Sequence, residues 1–315
     1  MAKIAFIFPG QGSQSIGMGV SLVETYPQVR EYFQHANEIL GWDLLQVCRE
    51  GPEERLRQTE VAQPALYVTG YATHQVMGSQ GIHPSAVAGH SIGEYAALAS
   101  AQVFSFVDGL ALVQERARLM RDAGRVHPGS MMAILGLEAG QVQAVCQEAS
   151  ARGVCVAVNF NSPEQTVIAG EGPALEEASR LATAKGAKRV IALNVSGAFH
   201  SPLMTAAALG MRAVLDKTVF QKASVPVVMN ADGQAHQQAE DIRTQLELQL
   251  DHPVQWVQSM QTLKAQGFDT FIECGAGRVL SGLVRRMDRQ LNAYATDSSA
   301  AIKEAGEALS ASRKG

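Results

Sequence analysis

The chain has 315 residues, 46% of them hydrophobic and 18% charged, with a formal net charge of −4. That balance excludes a disordered chain and leaves no broad basic footprint for DNA or RNA. The length fits about two domains, or one large domain with an insertion, and can bury a core without metal or disulfide staples.

In chain order, Lys3 to Phe8 reads as a buried strand entering the loop Pro9-Gly10-Gln11-Gly12-Ser13-Gln14. Helical spacing runs from about 22 to 48, through Tyr26, Val29, Phe33, Ala36, Ile39 and Leu40, and Gly51-Pro52 ends it. A second helix covers about Gln63 to Met77. After the break at His83-Pro84 come a short strand to Ala88, an Ala-rich helix from Glu94 to Ala101 and a helix from about Phe106 to Arg121. Character changes at Gly124 to Gly129. Strands at Met131–Gly136, Val154–Phe160, Gln165–Ala169 and Arg189–Val195 then alternate with helices at Ala139–Ala151 and Pro173–Lys185. The order β-α-β-β-α-β is the split βαβ, or ferredoxin-like, plan.

From Ser196 the α/β alternation returns. It gives a helix at Leu203–Leu215, a strand at Val225–Met229 and helices at Ile242–Leu250 and Pro253–Gln266, with Pro253 suited to a first turn. A strand at Thr270–Cys274 and a helix at Arg278–Met287 follow, and the last 15 residues read as one exposed helix with a frayed tail. The pattern predicts an α/β domain interrupted by a small inserted one.

Cys48, Cys146, Cys155 and Cys274 are scattered and form no CxxC pair, so zinc and redox motifs are absent and buried, reduced thiols are expected. The run Ile4 to Phe8 is too short for a signal-peptide core, and no stretch approaches roughly 18 apolar residues. A soluble, cytoplasmic protein without membrane contact is expected.

The sharpest motif is Gly89-His90-Ser91-Ile92-Gly93, which fits the G-x-S-x-G nucleophile elbow between a strand and a helix. The alternative is a plain strand-to-helix turn with a capping serine. A serine nucleophile needs a base. Of the eight histidines, His90 diverges from its neighbour, His35 and His74 fall on polar helix faces, and His83 and His127 precede prolines. His200, in Gly197-Ala198-Phe199-His200-Ser201-Pro202, sits in a loop at a strand end, where α/β sites lie, although an ordinary loop histidine would look the same. The Ile92 amide is an expected oxyanion donor, and the Gly10-Gln11-Gly12 loop is a candidate for a second unless it is merely a Gly-rich turn. It lacks the third glycine of a dinucleotide fingerprint. Arg116 either points to solvent or clamps a substrate carboxylate. The elbow alone leaves hydrolase as the leading class.

Taken together, FPGQGSQ (8–14), GHSIGEYAAL (89–98), QERARLM (114–120), NFNSPEQTVIAG (159–170), GAFHSPLM (197–204), QLDHPVQW (249–256) and ECGAGRVLSGL (273–283) resemble the malonyl-CoA:acyl carrier protein transacylase family of type II fatty acid synthesis. Acyltransferase domains of polyketide synthases share the pattern. The resemblance implies an α/β-hydrolase-like core with a parallel sheet at 1–125 and 197–315, and a ferredoxin-like subdomain inserted at 126–196. It implies Ser91 as acylated nucleophile, His200 as base and the backbone carbonyl of Gln249 orienting that base in place of a triad acid. Gln11 and Ile92 match the oxyanion donors, Arg116 the malonyl clamp and Gln63 a pocket position. Ala198-Phe199 before the histidine favours malonyl over methylmalonyl, because Phe199 would crowd an α-methyl group.

Malonyl-CoA is the expected substrate, with no bound cofactor or metal, and the protein is expected to be a monomer. The expected partner is an acidic acyl carrier protein, so a chain of net charge −4 needs a local basic patch. Candidates are Lys185, Lys188 and Arg189 on the insertion, with Arg278, Arg285 and Arg286 on the core. Three rivals remain: a polyketide acyltransferase doing the same chemistry, an acyl-thioester serine hydrolase, and a non-catalytic carrier-binding module.

Overall fold

All five residues of the first strand, β1 (Ile4–Phe8), are buried, as an unbroken apolar run in the middle of a parallel sheet requires. The structure, a computed structural model, describes residues 3–312. After β1 come α1 (Val20–Thr25), α2 (Pro27–Leu40), α3 (Leu44–Glu50), α4 (Glu53–Arg57), α5 (Thr59–Ser79), β2 (Ala86–Gly89), α6 (Gly93–Ser100) and α7 (Phe106–Val126). The next segment holds β3 (Ser130–Leu135), α8 (Ala139–Ala149), β4 (Cys155–Ser162), β5 (Gln165–Gly170), α9 (Gly172–Ala184) and β6 (Arg189–Ala192). The chain closes with α10 (Thr205–Leu215), β7 (Val227–Val228), β8 (Ala235–His236), α11 (Ala239–Leu248), α12 (Trp256–Ala265), β9 (Thr270–Glu273), α13 (Val279–Met287), β10 (Asn292–Ala295) and α14 (Ser299–Ser312).

Two sheets result. The larger has the order β10-β9-β1-β2-β7-β8, parallel from β10 to β7 with β8 antiparallel at the edge. Loops leaving the C-terminal ends of β1 and β2 therefore emerge side by side, where open α/β sheets build their sites. The smaller sheet, β4-β5-β3-β6, is antiparallel and drawn from residues 130–192, with α8 and α9 packed on it over Ile134, Val142, Val145, Ile168, Leu175 and Ala178. A short backbone bridge joins the two bodies: Phe160 donates to the Val254 carbonyl at 3.0 Å, and Val254 to that of Val158 at 2.7 Å.

Several elements differ from the sequence reading. The helix expected over 22–48 is three helices. Pro27 starts α2, because it has no N–H to continue α1, and Gly41 ends it in the left-handed region (φ 77°). Pro253 is not in a helical first turn. Val254 gives its N–H and C=O to β4, so α12 begins only at Trp256. His74 is not on a polar face; it meets Phe6 edge-on and stacks over Tyr71, and burial pushes its imidazole down to about 4. Strand β10 lies where the sequence pattern marks no strand. The last helix is not exposed: Ala301, Ile302, Ala305 and Leu309 are buried on one face, toward α1 and β10. The end of the expected frayed tail, 313–315, lies outside the described residues.

Because that face is packed, Ile302→Ala should cost about 2–5 kcal/mol. A urea midpoint equal to that of the unsubstituted chain would show that α14 adds little to the fold.

Candidate active site

Ser91 links β2 to α6 with a φ of 52°, a left-handed backbone that a non-glycine residue holds only where its surroundings impose it. Those surroundings are tight. A Cβ on Gly89 would overlap the Gly93 carbonyl, and one on Gly93 would overlap the Phe8 carbonyl at the end of β1. His90 N–H donates to that same Phe8 carbonyl at 2.9 Å. From the loop after β7, the Asn230 side chain holds the elbow from the other side. Its Oδ1 accepts from Ser91 N–H at 2.7 Å, and its Nδ2 donates to Gly89 O at 2.5 Å.

His200 also has positive φ (61°) and is 3% exposed. Its Nε2 lies 2.7 Å from Ser91 Oγ, and its Nδ1 lies 2.8 Å from the Gln249 carbonyl just past α11. A carbonyl only accepts, so Nδ1 carries the proton and Nε2 is free to accept one from the serine. Burial, and then the charge of Arg116, push this imidazole down to about 3. It is therefore neutral near pH 7.

Arg116, on α7, is 1% exposed. Its Nε and Nη2 donate to Gln249 Oε1 at 3.1 and 2.9 Å, its Nη1 to Gln63 Oε1 at 2.6 Å, and its Nη2 to Ser91 Oγ at 3.1 Å. The Tyr95 ring lies 5.5 Å from its guanidinium carbon. Gln63, on α5, donates in turn to Met120 Sδ at 3.4 Å.

The Gly10-Gln11-Gly12 loop packs on the elbow; a Cβ on Gly10 would crowd the His90 carbonyl. Gln11 is held through its side chain, which accepts from Thr59 Oγ1 at 3.0 Å. Ile92 follows the nucleophile directly and is the N-cap residue of α6. Phe199 is buried, with its ring folded back beneath Gly197. A cleft of about 490 Å³, lined by Cys146, Cys155, Phe160, His200, Asp251 and Gln255 among others, opens between the smaller sheet and the core. Among the described residues, no group of three His, Cys, Asp or Glu side chains is placed to hold a metal ion, and no helix is long and apolar enough to cross a membrane.

The basic residues considered for a partner surface divide. Leu135 pairs with Arg189 on one side and Gln165 on the other, and Arg286 Nη1 donates to Gln165 Oε1 at 3.5 Å. Lys188, paired with Glu164 at 2.9 Å, is at the same sheet end. Arg285 instead donates to the Ala293 carbonyl, Arg278 pairs with Asp297 and Lys185 with Glu148.

Three polar residues of this centre were not singled out from the sequence. Glu94 is fully buried and accepts from Asn230 N–H at 2.6 Å, Asn230 Nδ2 at 2.9 Å and Gln249 Nε2 at 2.5 Å; burial pushes its carboxyl up to about 8. Asn230 is the second, and Asn161, whose Oδ1 accepts from His90 Nε2 at 2.8 Å, the third. Glu94 had a signal, a lone charge in the apolar run Tyr95-Ala96-Ala97-Leu98. The two asparagines had none.

Since His200 is neutral far below the ordinary histidine range of about 6.5, sulfonylation of Ser91 by a neutral sulfonyl fluoride should stay fast through that pH. A half-loss of rate at about 6.5 would mean that the imidazole titrates as an exposed one.

Residues 5–305 match the family model described as acyl transferase domain. A malonyl CoA-acyl carrier protein transacylase of Salmonella typhimurium is 42% identical over 306 residues, 97% of this chain and 99% of that protein. Among solved structures, the malonyl-CoA:acyl carrier protein transacylase of Xanthomonas oryzae pv. oryzae superposes with a TM-score of 0.94 at 42% identity, covering 98% of each chain. A malonyl-transacylase in complex with its type II polyketide acyl-carrier protein has a TM-score of 0.94 at 40% identity, covering 97% of this chain and 99% of that one.

Proposed function

The chain belongs to the acyl transferase family, and from that premise we infer that it moves a malonyl group from coenzyme A to the phosphopantetheine thiol of an acyl carrier protein in fatty acid synthesis. The observation that carries the substrate class is the buried Arg116 guanidinium 3.1 Å from Ser91 Oγ. A cation fixed beside the nucleophile suits an acyl group ending in a carboxylate, whereas a simple esterase has no use for it.

The reaction runs in two halves. Ser91 Oγ attacks the thioester carbonyl while His200 Nε2 takes its proton. The C–S bond then breaks, the proton passes to the departing CoA sulfur, and a malonyl-Ser91 ester remains. In the second half the carrier thiol gives its proton to His200 and attacks that ester, and Ser91 leaves with the proton restored. The Gln249 carbonyl keeps His200 in the reactive tautomer, the role an aspartate has in the usual triad. The amides of Gln11 and Ile92 stabilise the oxyanion. Arg116, with Gln63 behind it, holds the malonyl carboxylate, and Phe199 disfavours an α-methyl substituent. The cleft beside His200 receives the pantetheine arm. No bound cofactor or metal takes part.

We read the larger sheet as the hydrolase-like core of 1–125 and 197–315. The smaller one, with strand order fourth-first-third-second, is a ferredoxin-like insertion at 126–196. The carrier docks where the two meet, on Lys188, Arg189 and Arg286; Arg285, engaged with Ala293, contributes less. The protein works as a cytoplasmic monomer. The similarity to a transacylase complexed with a polyketide carrier favours a second reading, the same transfer onto a polyketide carrier.

Incubation with malonyl-CoA alone, followed by intact mass measurement, should show a malonyl adduct that maps to Ser91 and moves to an added holo carrier protein. In the same assay Arg116→Ala should lose malonyl loading by on the order of 10²- to 10³-fold while acetyl loading persists. Decay to free malonate without transfer would make the protein a hydrolase, and equal losses for both acyl groups would remove the clamp role. Charge reversal at Arg189 and Arg286 together should raise KM for the carrier severalfold, more at low salt than at high, with loading from malonyl-CoA preserved. An unchanged KM would move the docking surface elsewhere.

A further inference from the structure

We propose that Glu94 is a positioning residue for malonyl selection: it holds the Gln249 side-chain amide so that the amide oxygen, not its nitrogen, faces Arg116. The proposal rests on the malonyl-transfer reading above and adds to it the residue that sets the clamp.

A side-chain amide has a donor end and an acceptor end of nearly the same shape, so its orientation is decided by its partners. At Gln249 the partners on the nitrogen side are both acceptors. Nε2 donates to Glu94 Oε2 at 2.5 Å and to Ser91 O at 2.9 Å. Oε1 must then point the other way, where Arg116 Nε and Nη2 donate to it. A flipped amide would set its N–H groups against those of the guanidinium and its oxygen against the Ser91 carbonyl and the Glu94 Oε2 that now accept from it.

The orientation matters because it decides which edge of Arg116 is occupied. Gln249 Oε1 caps the Nε/Nη2 fork and Gln63 Oε1 takes Nη1. That leaves an Nη2 N–H toward Ser91 Oγ, the group placed to meet a carboxylate one methylene beyond the acyl carbon. Glu94 is itself anchored. Asn230 donates to its Oε1 from both backbone and side chain, so its Oε2 is turned to Gln249. A fully buried carboxyl in an apolar helix is costly to keep unless such partners surround it.

Gln249 thus has two separable tasks. Its backbone carbonyl serves His200, and its side chain serves Arg116. Only the second depends on Glu94. In Glu94→Gln the new Oε1 still accepts from Asn230, which preserves the elbow. Its new NH₂ group, however, meets Gln249 Nε2 donor to donor and favours the flip.

The test measures Ser91 loading by malonyl-CoA and by acetyl-CoA, each by intact mass against time, for the unsubstituted protein, Glu94→Gln, Gln249→Met and the double variant. Glu94→Gln should lower malonyl loading by about 10- to 100-fold and acetyl loading by a clearly smaller factor. Gln249→Met, which retains the carbonyl but not the amide, should shift the malonyl-to-acetyl ratio in the same direction, and the double variant should shift it no further. Sulfonyl fluoride reactivity at Ser91 reports whether the elbow and His200 still work in each variant. Equal losses for the two acyl groups, or additive shifts in the double variant, would overturn the proposal. If Glu94→Gln does not fold, an unchanged ratio in Gln249→Met would overturn it alone. Failure of the unsubstituted protein to load malonyl on Ser91 would overturn the transfer reading and this inference together. Normal loading with an unchanged ratio in Glu94→Gln would overturn only the inference.

Discussion

A guanidinium keeps its proton under all ordinary conditions, and Arg116 keeps one 1% exposed beside the nucleophile. Most of the polar chemistry around Ser91 follows from that burial. The hydrogen bonds Arg116 makes go to neutral oxygens, those of Gln63, Gln249 and the serine itself, while the buried carboxyl of Glu94 stands one amide further away. A carboxylate in direct contact would saturate the cation and leave nothing for a charged substrate. Neutral acceptors hold the side chain in place and leave its charge available.

The same charge shapes the base. A cation close to His200 and near-complete burial both disfavour imidazolium, so the histidine remains a neutral acceptor. A backbone carbonyl is sufficient to fix the tautomer, and Gln249 supplies one at 2.8 Å. One residue past the end of α11 therefore reaches the base through its backbone and the clamp through its side chain. The backbone bridge between Val254 and β4 joins the larger body to the smaller one within a few residues of Gln249.

Much of this arrangement is visible in local sequence. The glycines at 89 and 93 are required by contacts with each other's turn and with the end of β1, so the elbow is a short-range pattern with a steric cause. The alternation of strands and helices from 130 to 192 is likewise local, and the small sheet forms from the segments the periodicity marks. The reading failed where long-range contacts overrode local preference. Pro253 lies in an extended bridge because β4 takes the backbone groups of Val254, and α14 is buried because α1 and β10 cover its apolar face.

Sequence alone therefore determined the elements, the serine on its elbow and, through motifs resembling a known family, the set of residues at the centre. Tertiary structure decided the relations among them. It placed residues 91, 200 and 249, separated by tens to more than a hundred positions, within hydrogen-bond distance of one another. It made Glu94 and Asn230 part of the centre, and it divided the surface arginines between those gathered at one sheet end and those already engaged elsewhere. The physical reason is range. Turn sterics and periodicity act over a few residues, whereas the partner of a buried polar atom is chosen only when distant segments close the same interior.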